Sequence, residues 1–272
     1  MQSIVAQNKL SASQQACGLY ITYEQPLSEA MRMFLQLEFL FKTLNSSLAA
    51  QTGSFALESI NTLLSILSII DRPDIKTKLM QTLSQYTSTL SQLQHLPGID
   101  HQKLLSILAR IEAHTNTLLH QHSRFGESMK HNDLVQQLKS HSSSPGGICP
   151  HKIPAFNLLL AQPNQKIHRQ LVLWSQDISK LADIIYTILE ITRSSTKFDS
   201  ITIERGFYQQ TLDSSLPVEL IQLRIPKHIN GFPVFTTAKQ RVAFSLMDAH
   251  DFNSKPVQLM SNYTLELSLC RV

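Results

Sequence analysis

Residues 171–203, LVLWSQDISKLADIIYTILEITRSSTKFDSITI, carry two hydrophobic periods in succession. Leu171, Trp174, Ile178, Leu181, Ile185 and Ile188 recur at alternating steps of three and four, which places them on one face of a helix over roughly Gln165 to Arg193. A stripe with this near-heptad spacing either faces a core or joins two copies of a chain, and core packing is the expected use. After Ser195 the period drops to two. Ile201 and Ile203 flank Thr202, as in a strand with one buried face. The change of period marks where a helical stretch gives way to a β stretch.

Downstream the alternation continues through Ile221, Leu223 and Ile225, then Val242, Phe244 and Leu246, then Leu265, Leu267 and Leu269, with polar partners such as Gln222, Arg224 and Glu266 between them. Upstream, Leu19, Ile21 and Tyr23 share this period until Pro26, so both ends of the chain are expected to build one β layer. The fold class is α+β, an N-terminal multi-helix domain packed with a C-terminal antiparallel β domain. The expected organisation is a mobile extension over 1–16, a strand plus helical domain over 17–195, and a β domain over 196–272.

Four amphipathic helices fill the first half. Ser28 caps a face of Ala30, Phe34, Leu37, Phe41, Leu44 and Leu48. Leu57, Ile60, Leu64 and Leu67 mark the second helix, which ends before Asp71-Arg72-Pro73-Asp74, where Asp74 is placed to cap a third helix through Ile75, Leu79, Leu83, Tyr86, Leu90 and Leu93. After a Pro97-Gly98 turn, Asp100 is placed to cap a fourth through Leu104, Leu108, Ile111 and Leu118. The Ser140–Pro154 segment, with Ser142-Ser143-Ser144-Pro145-Gly146-Gly147, breaks the helical run.

The 272 residues are 42% hydrophobic and 16% charged, which excludes wholesale disorder, and the net charge of +4 is too small to imply nucleic acid by itself. Three scattered cysteines, Cys17, Cys149 and Cys270, point to a reducing compartment. Neither a basic, apolar leader nor a stretch of eighteen apolar residues is present, so a cytoplasmic chain with no membrane insertion is expected. The sequence has no phosphate-binding glycine motif, no nucleophile elbow and no spacing of His and Cys suited to a metal. Enzyme activity, cofactors and metals are therefore not expected. The chemistry that stands out is cationic: Arg32, Arg72, Lys76, Arg124, Lys130, Lys139, His141, Lys239 and Arg241 lie near element ends and loops. Dispersed, they are ordinary solvated surface; converged, they would hold an acidic peptide through charge-assisted hydrogen bonds.

Four further stretches are distinctive. They are Tyr23-Glu24-Gln25-Pro26-Leu27-Ser28-Glu29-Ala30-Met31-Arg32 followed by Leu37-Glu38-Phe39-Leu40; Leu96-Pro97-Gly98-Ile99-Asp100; Ser144-Pro145-Gly146-Gly147-Ile148-Cys149 with Ile153-Pro154; and Gly206-Phe207-Tyr208-Gln209. In this order the chain resembles the ZapD family of bacterial Z-ring-associated proteins over nearly its whole length. The resemblance implies a non-enzymatic division protein at midcell that binds the C-terminal tail of FtsZ and, as a homodimer, cross-links and bundles FtsZ filaments. It also implies a tail-binding pocket at Arg32, Arg72, Lys76, Arg124, Lys139, His141 and Arg241. Gln36, Asp133 and Ser245 stand where the family pattern can carry Arg. The alternative reading is a nucleic-acid-binding protein using the same basic surface.

Overall fold

The computed structural model describes residues 19–50, 54–95, 100–121, 123–213, 217–238, 241–248 and 253–271. The expected extension over 1–16, Cys17, the Pro97-Gly98 turn and Lys239 lie outside the described residues. The chain forms two compact units, one of residues 1–31 with 191–272 and one of residues 32–190.

The β unit contains β1 (Tyr20–Pro26), β2 (Asp199–Ile203), β3 (Phe207–Thr211), β4 (Leu220–Pro226), β5 (Gly231–Ala238), β6 (Arg241–Asp248) and β7 (Tyr263–Cys270). One antiparallel sheet has the order β1-β4-β7-β2 and the other the order β3-β6-β5. Ile203, Ile221, Leu223, Ile225, Leu265 and Leu267 from the first sheet join Val242, Phe244 and Leu246 from the second in one buried cluster. Phe244 sits at its centre, 5.3 Å from the ring of Tyr208 and 5.6 Å from that of Phe235. Period-two alternation thus marks the inner faces, as expected from the sequence.

Two strands escape that pattern. β3 and β5 are the edges of the second sheet, and β5 carries Pro233, whose missing N–H costs no ladder hydrogen bond at an edge. With Val234 and Phe207 46% and 45% exposed, the outer faces of these edge strands break the simple rule of polar outside and apolar inside.

The N-terminal strand joins the sheet through backbone register and a polar network. Glu24 stands opposite Gln222, and Gln222 opposite Ser268, along one row of the first sheet. Arg193 donates from Nε and Nη2 to the two Glu24 carboxylate oxygens at 2.8 Å each, and Gln222 Nε2 donates to Glu24 Oε1 at 2.8 Å. Ser268 Oγ donates to the Thr196 carbonyl. Burial pushes the Cys270 thiol, next to Gln222 and Ser268, above its usual pKa.

Eight α-helices are described: α1 (Glu29–Ala50), α2 (Phe55–Ile70), α3 (Ile75–Gln92), α4 (His101–His120), α5 (Glu127–Lys130), α6 (Asp133–Ser142), α7 (Pro154–Leu160) and α8 (Asn164–Ser194). Ser28 Oγ accepts from the Met31 amide, as a cap should, and Phe34, Leu37, Phe41, Leu44 and Leu48 are buried. The whole stripe of α8 from Leu171 to Ile188 is buried, in line with core packing. Arg110 of α4 forks onto Glu190 of α8 at 2.8 and 3.4 Å, and His114 meets Thr187 at 2.9 Å.

Two local expectations need correction. Leu57, in the first turn of α2, is 38% exposed, whereas Ile60, Leu64 and Leu67 further along are buried. Asp74 precedes α3 without capping it: its backbone is already helical (φ −89°, ψ −5°), and its carboxylate pairs with Lys78 at 2.8 Å. An N-cap side chain reaches back to the helix from an extended backbone. Asp100, which is extended (φ −72°, ψ 91°), does accept from the Lys103 amide at 3.0 Å.

Candidate functional site

Two chain reversals in the helical unit build the site. α2 stops at Ile70 with Asp71 at its C-cap, Pro73 prevents the helix from continuing, and α3 starts at Ile75. Arg72 and Lys76 therefore stand on either side of a tight proline turn. α4 ends where Gln121 turns extended (φ −78°, ψ 103°), and the chain reaches α5 through Ser123, Arg124, Phe125 and Gly126.

Gly126 lets the second turn lie directly on the end of α2. Its φ is +71°, and a Cβ there would come within 2.7 Å of Leu67 Cδ2 and 3.0 Å of Ile70 Cδ1. This close approach brings Arg124 beside Arg72 and Lys76. Between the turns lies a small cleft of about 150 Å³. Its floor is apolar, formed by the buried side chains of Ile70, Ile75, Leu118 and Phe125, while Asp71, Arg72, Lys76, Gln121, Ser123 and Arg124 form the rim.

The rim is held by polar contacts. Lys76 Nζ donates to the Gln121 carbonyl at 3.1 Å, tying the two turns together. The Arg124 amide donates to Glu127 Oε2 at 2.9 Å, which fixes the path of the second turn. Asp71 accepts from Lys130 Nζ at 2.6 Å and from Lys139 Nζ, so α5 and α6 are both anchored to the end of α2. Burial alone would raise the Asp71 pKa, but hydrogen bonds and charge from Lys130 and Lys139 more than offset it and hold the carboxyl below its ordinary value. Asp71 is the one acid among the described residues lining the cleft.

Of the residues implied by resemblance, Arg72, Lys76 and Arg124 line this cleft and Lys139 adjoins it through Asp71. Arg32 is exposed on α1 and His141 is half-buried in the last turn of α6. Arg241 is exposed at the start of β6, opposite Thr211 and Ala238, in the β unit. These three are not among the lining residues. Sequence reasoning missed Asp71, Gln121 and the apolar floor. The placement of Asp71 just before Arg72-Pro73 was its one visible signal, and nothing local ties it to Lys139, 68 residues later.

Among the described residues, no group of three or more His, Cys, Asp or Glu side chains could hold a metal ion, and no helix is long and apolar enough to cross a membrane. A cationic rim over an apolar floor suits a ligand that offers carboxylates beside an apolar side chain.

A profile of the ZapD family, described as a cell division protein, matches residues 35–244. The cell division protein ZapD of Coxiella burnetii is 38% identical over 255 residues, which span 93% of this chain and 98% of that protein. Its namesakes from Ralstonia nicotianae and Cronobacter sakazakii are 26% and 25% identical over 92% of this chain and 99% of their own. With one relative this similar end to end and a profile match over most of its length, this chain belongs to the ZapD family of cell division proteins.

Proposed function

We propose that this chain binds the C-terminal tail of FtsZ and, as a homodimer, cross-links FtsZ filaments into bundles that stabilise the Z ring at midcell in the cytoplasm. The observation that carries the reading is the cleft, where Arg72, Lys76 and Arg124, drawn from separate turns, share a rim over an apolar floor in a chain of this family. The tail is taken to be short, acidic and flexible, so its carboxylates meet the rim through charge-assisted hydrogen bonds that weaken as salt rises.

A single weak site would decorate a filament without joining it to another. Two sites on a dimer bridge, because once one tail is engaged the second site works at a high effective concentration of tails displayed along the polymer. No chemical step is required. Arg32 and Arg241, both exposed outside the cleft, stay in the proposal as tail contacts, each on its own unit.

Sedimentation of assembled FtsZ, with and without its C-terminal tail, tests the reading. The chain should pellet with and bundle the intact polymer and leave the tail-less polymer unbundled. Arg32→Glu and Arg241→Glu should each reduce bundling without changing the fold. Equal bundling of both polymers would overturn the tail as the ligand. A strictly monomeric chain at micromolar concentration in light scattering would remove the bridging step. A gel shift with DNA or RNA that matched the strength of tail binding would favour a nucleic-acid ligand instead.

A further inference from the structure

The rim of the cleft includes an acid that faces the same space an acidic ligand would enter. Asp71 stands at the C-cap of α2, directly before Arg72, and lines the cleft. Its two carboxylate oxygens are each taken by a lysine, Oδ1 by Lys130 and Oδ2 by Lys139. The side chain retains 29% of its exposure, and those of Lys130 and Lys139 retain 22% and 36%, so none of the three is sealed from water. Lys130 and Lys139 come from α5 and α6, while Arg72, Lys76 and Arg124 come from the two turns. One carboxylate of the rim is thus satisfied by two lysines and shares the cleft lining with three more cations, while Asp74, whose carboxyl feels the charge of Arg72, stands outside the lining.

We propose that Asp71 is an internal competitor that lowers the affinity of the cleft for acidic peptides by neutralising Lys130 and Lys139. The inference rests on the tail-binding reading above. A ligand carboxylate entering the rim meets Arg72, Lys76 and Arg124, but the two lysines that would extend their field are already engaged by Asp71. A weak, rapidly exchanging site is what a dimer needs if it is to bridge filaments without freezing them, because avidity makes up for what each site lacks. Asp71 is therefore a positioning residue. It holds two lysines in place and sets how much positive charge they present.

The test is a fluorescence anisotropy titration of the full chain against two labelled peptides, the FtsZ C-terminal tail and an unrelated glutamate-rich peptide of equal length, at several salt concentrations. Asp71→Asn should bind both peptides about three to ten times more tightly at about 0.1 M salt, with a steeper loss of affinity as salt rises. Lys130→Gln leaves Asp71 less neutralised and should bind both about two to five times more weakly. Mere loosening of the fold would weaken binding in both variants, so the opposite signs separate the two explanations. Asp71→Asn that folds and binds no more tightly than the parent chain overturns the proposal. If that variant does not fold, Lys130→Gln decides, measured where urea denaturation shows it fully folded: weaker binding supports the proposal and unchanged binding overturns it. Should the parent chain ignore the tail while Asp71→Asn gains affinity for the glutamate peptide, the competitor role stands and the FtsZ reading falls. If neither peptide binds any of the three chains, both fall.

Discussion

In the β unit Glu24 is gripped by Arg193 and Gln222; in the helical unit Asp71 is gripped by Lys130 and Lys139. Around Glu24 one negative charge meets one positive charge and a neutral amide, while the neighbouring Ser268 bonds to the Thr196 carbonyl and Cys270 to Gln222. The network is balanced and closed, and its work is to fix a strand from the start of the chain in register with strands from the end. Around Asp71 one negative charge meets two positive ones, and the adjoining rim adds Arg72, Lys76 and Arg124. Similar parts thus close a strand network in one unit and line an open cleft in the other.

Charge reversal separates the two most sharply. Arg72→Glu with Arg124→Glu exchanges two rim cations for two anions and should weaken binding of the FtsZ tail about 100-fold or more, a loss of about 2.7 kcal/mol. Because both side chains are exposed, the melting temperature should stay within about 2 °C of the parent. A loss of less than about threefold in an anisotropy titration would place the tail elsewhere on the molecule.

Glu24→Gln is the counterpart. It removes the charge from a part-buried pair with Arg193, so the folded state should lose about 2 kcal/mol in urea denaturation. Binding of the tail should be unchanged once the variant is compared under conditions where it is fully folded. A parallel loss of affinity would show that the two networks are coupled, and the division of labour drawn here would fail.

The balanced network and the open cleft also differ in how far they could be read from sequence. The β layer was legible because alternation is a local signal: Ile221, Leu223 and Ile225 announce their shared face within five residues, whereas at the first strand Tyr23 packs on the core while Leu19 and Ile21 stay exposed. β3 and β5 were not, since edge strands tolerate Pro233 and outward apolar residues such as Val234. Asp74 misled because a capping residue type was present where the backbone had already turned helical. In the site, individual cations were visible, but their convergence depends on Gly126 allowing one turn to lie against α2, and on Asp71 meeting lysines far along the chain. Both are tertiary facts with no local period.

The smallest effect expected comes from acid, and it probes the Asp71 grip itself. Lys130 and Lys139 hold the Asp71 carboxyl below its ordinary pKa, so the folded chain binds that proton less readily than the unfolded chain. The stability this gives is fully present above the unfolded value of about 4 and is lost as pH falls through the lower folded value. Asp71→Asn should therefore cost about 1 kcal/mol at pH 6 and progressively less toward pH 3. Urea titrations of both chains across that range would show the gap closing. A gap that stayed constant would mean that α5 and α6 are held to α2 by packing, with the charge of Asp71 left entirely to the cleft.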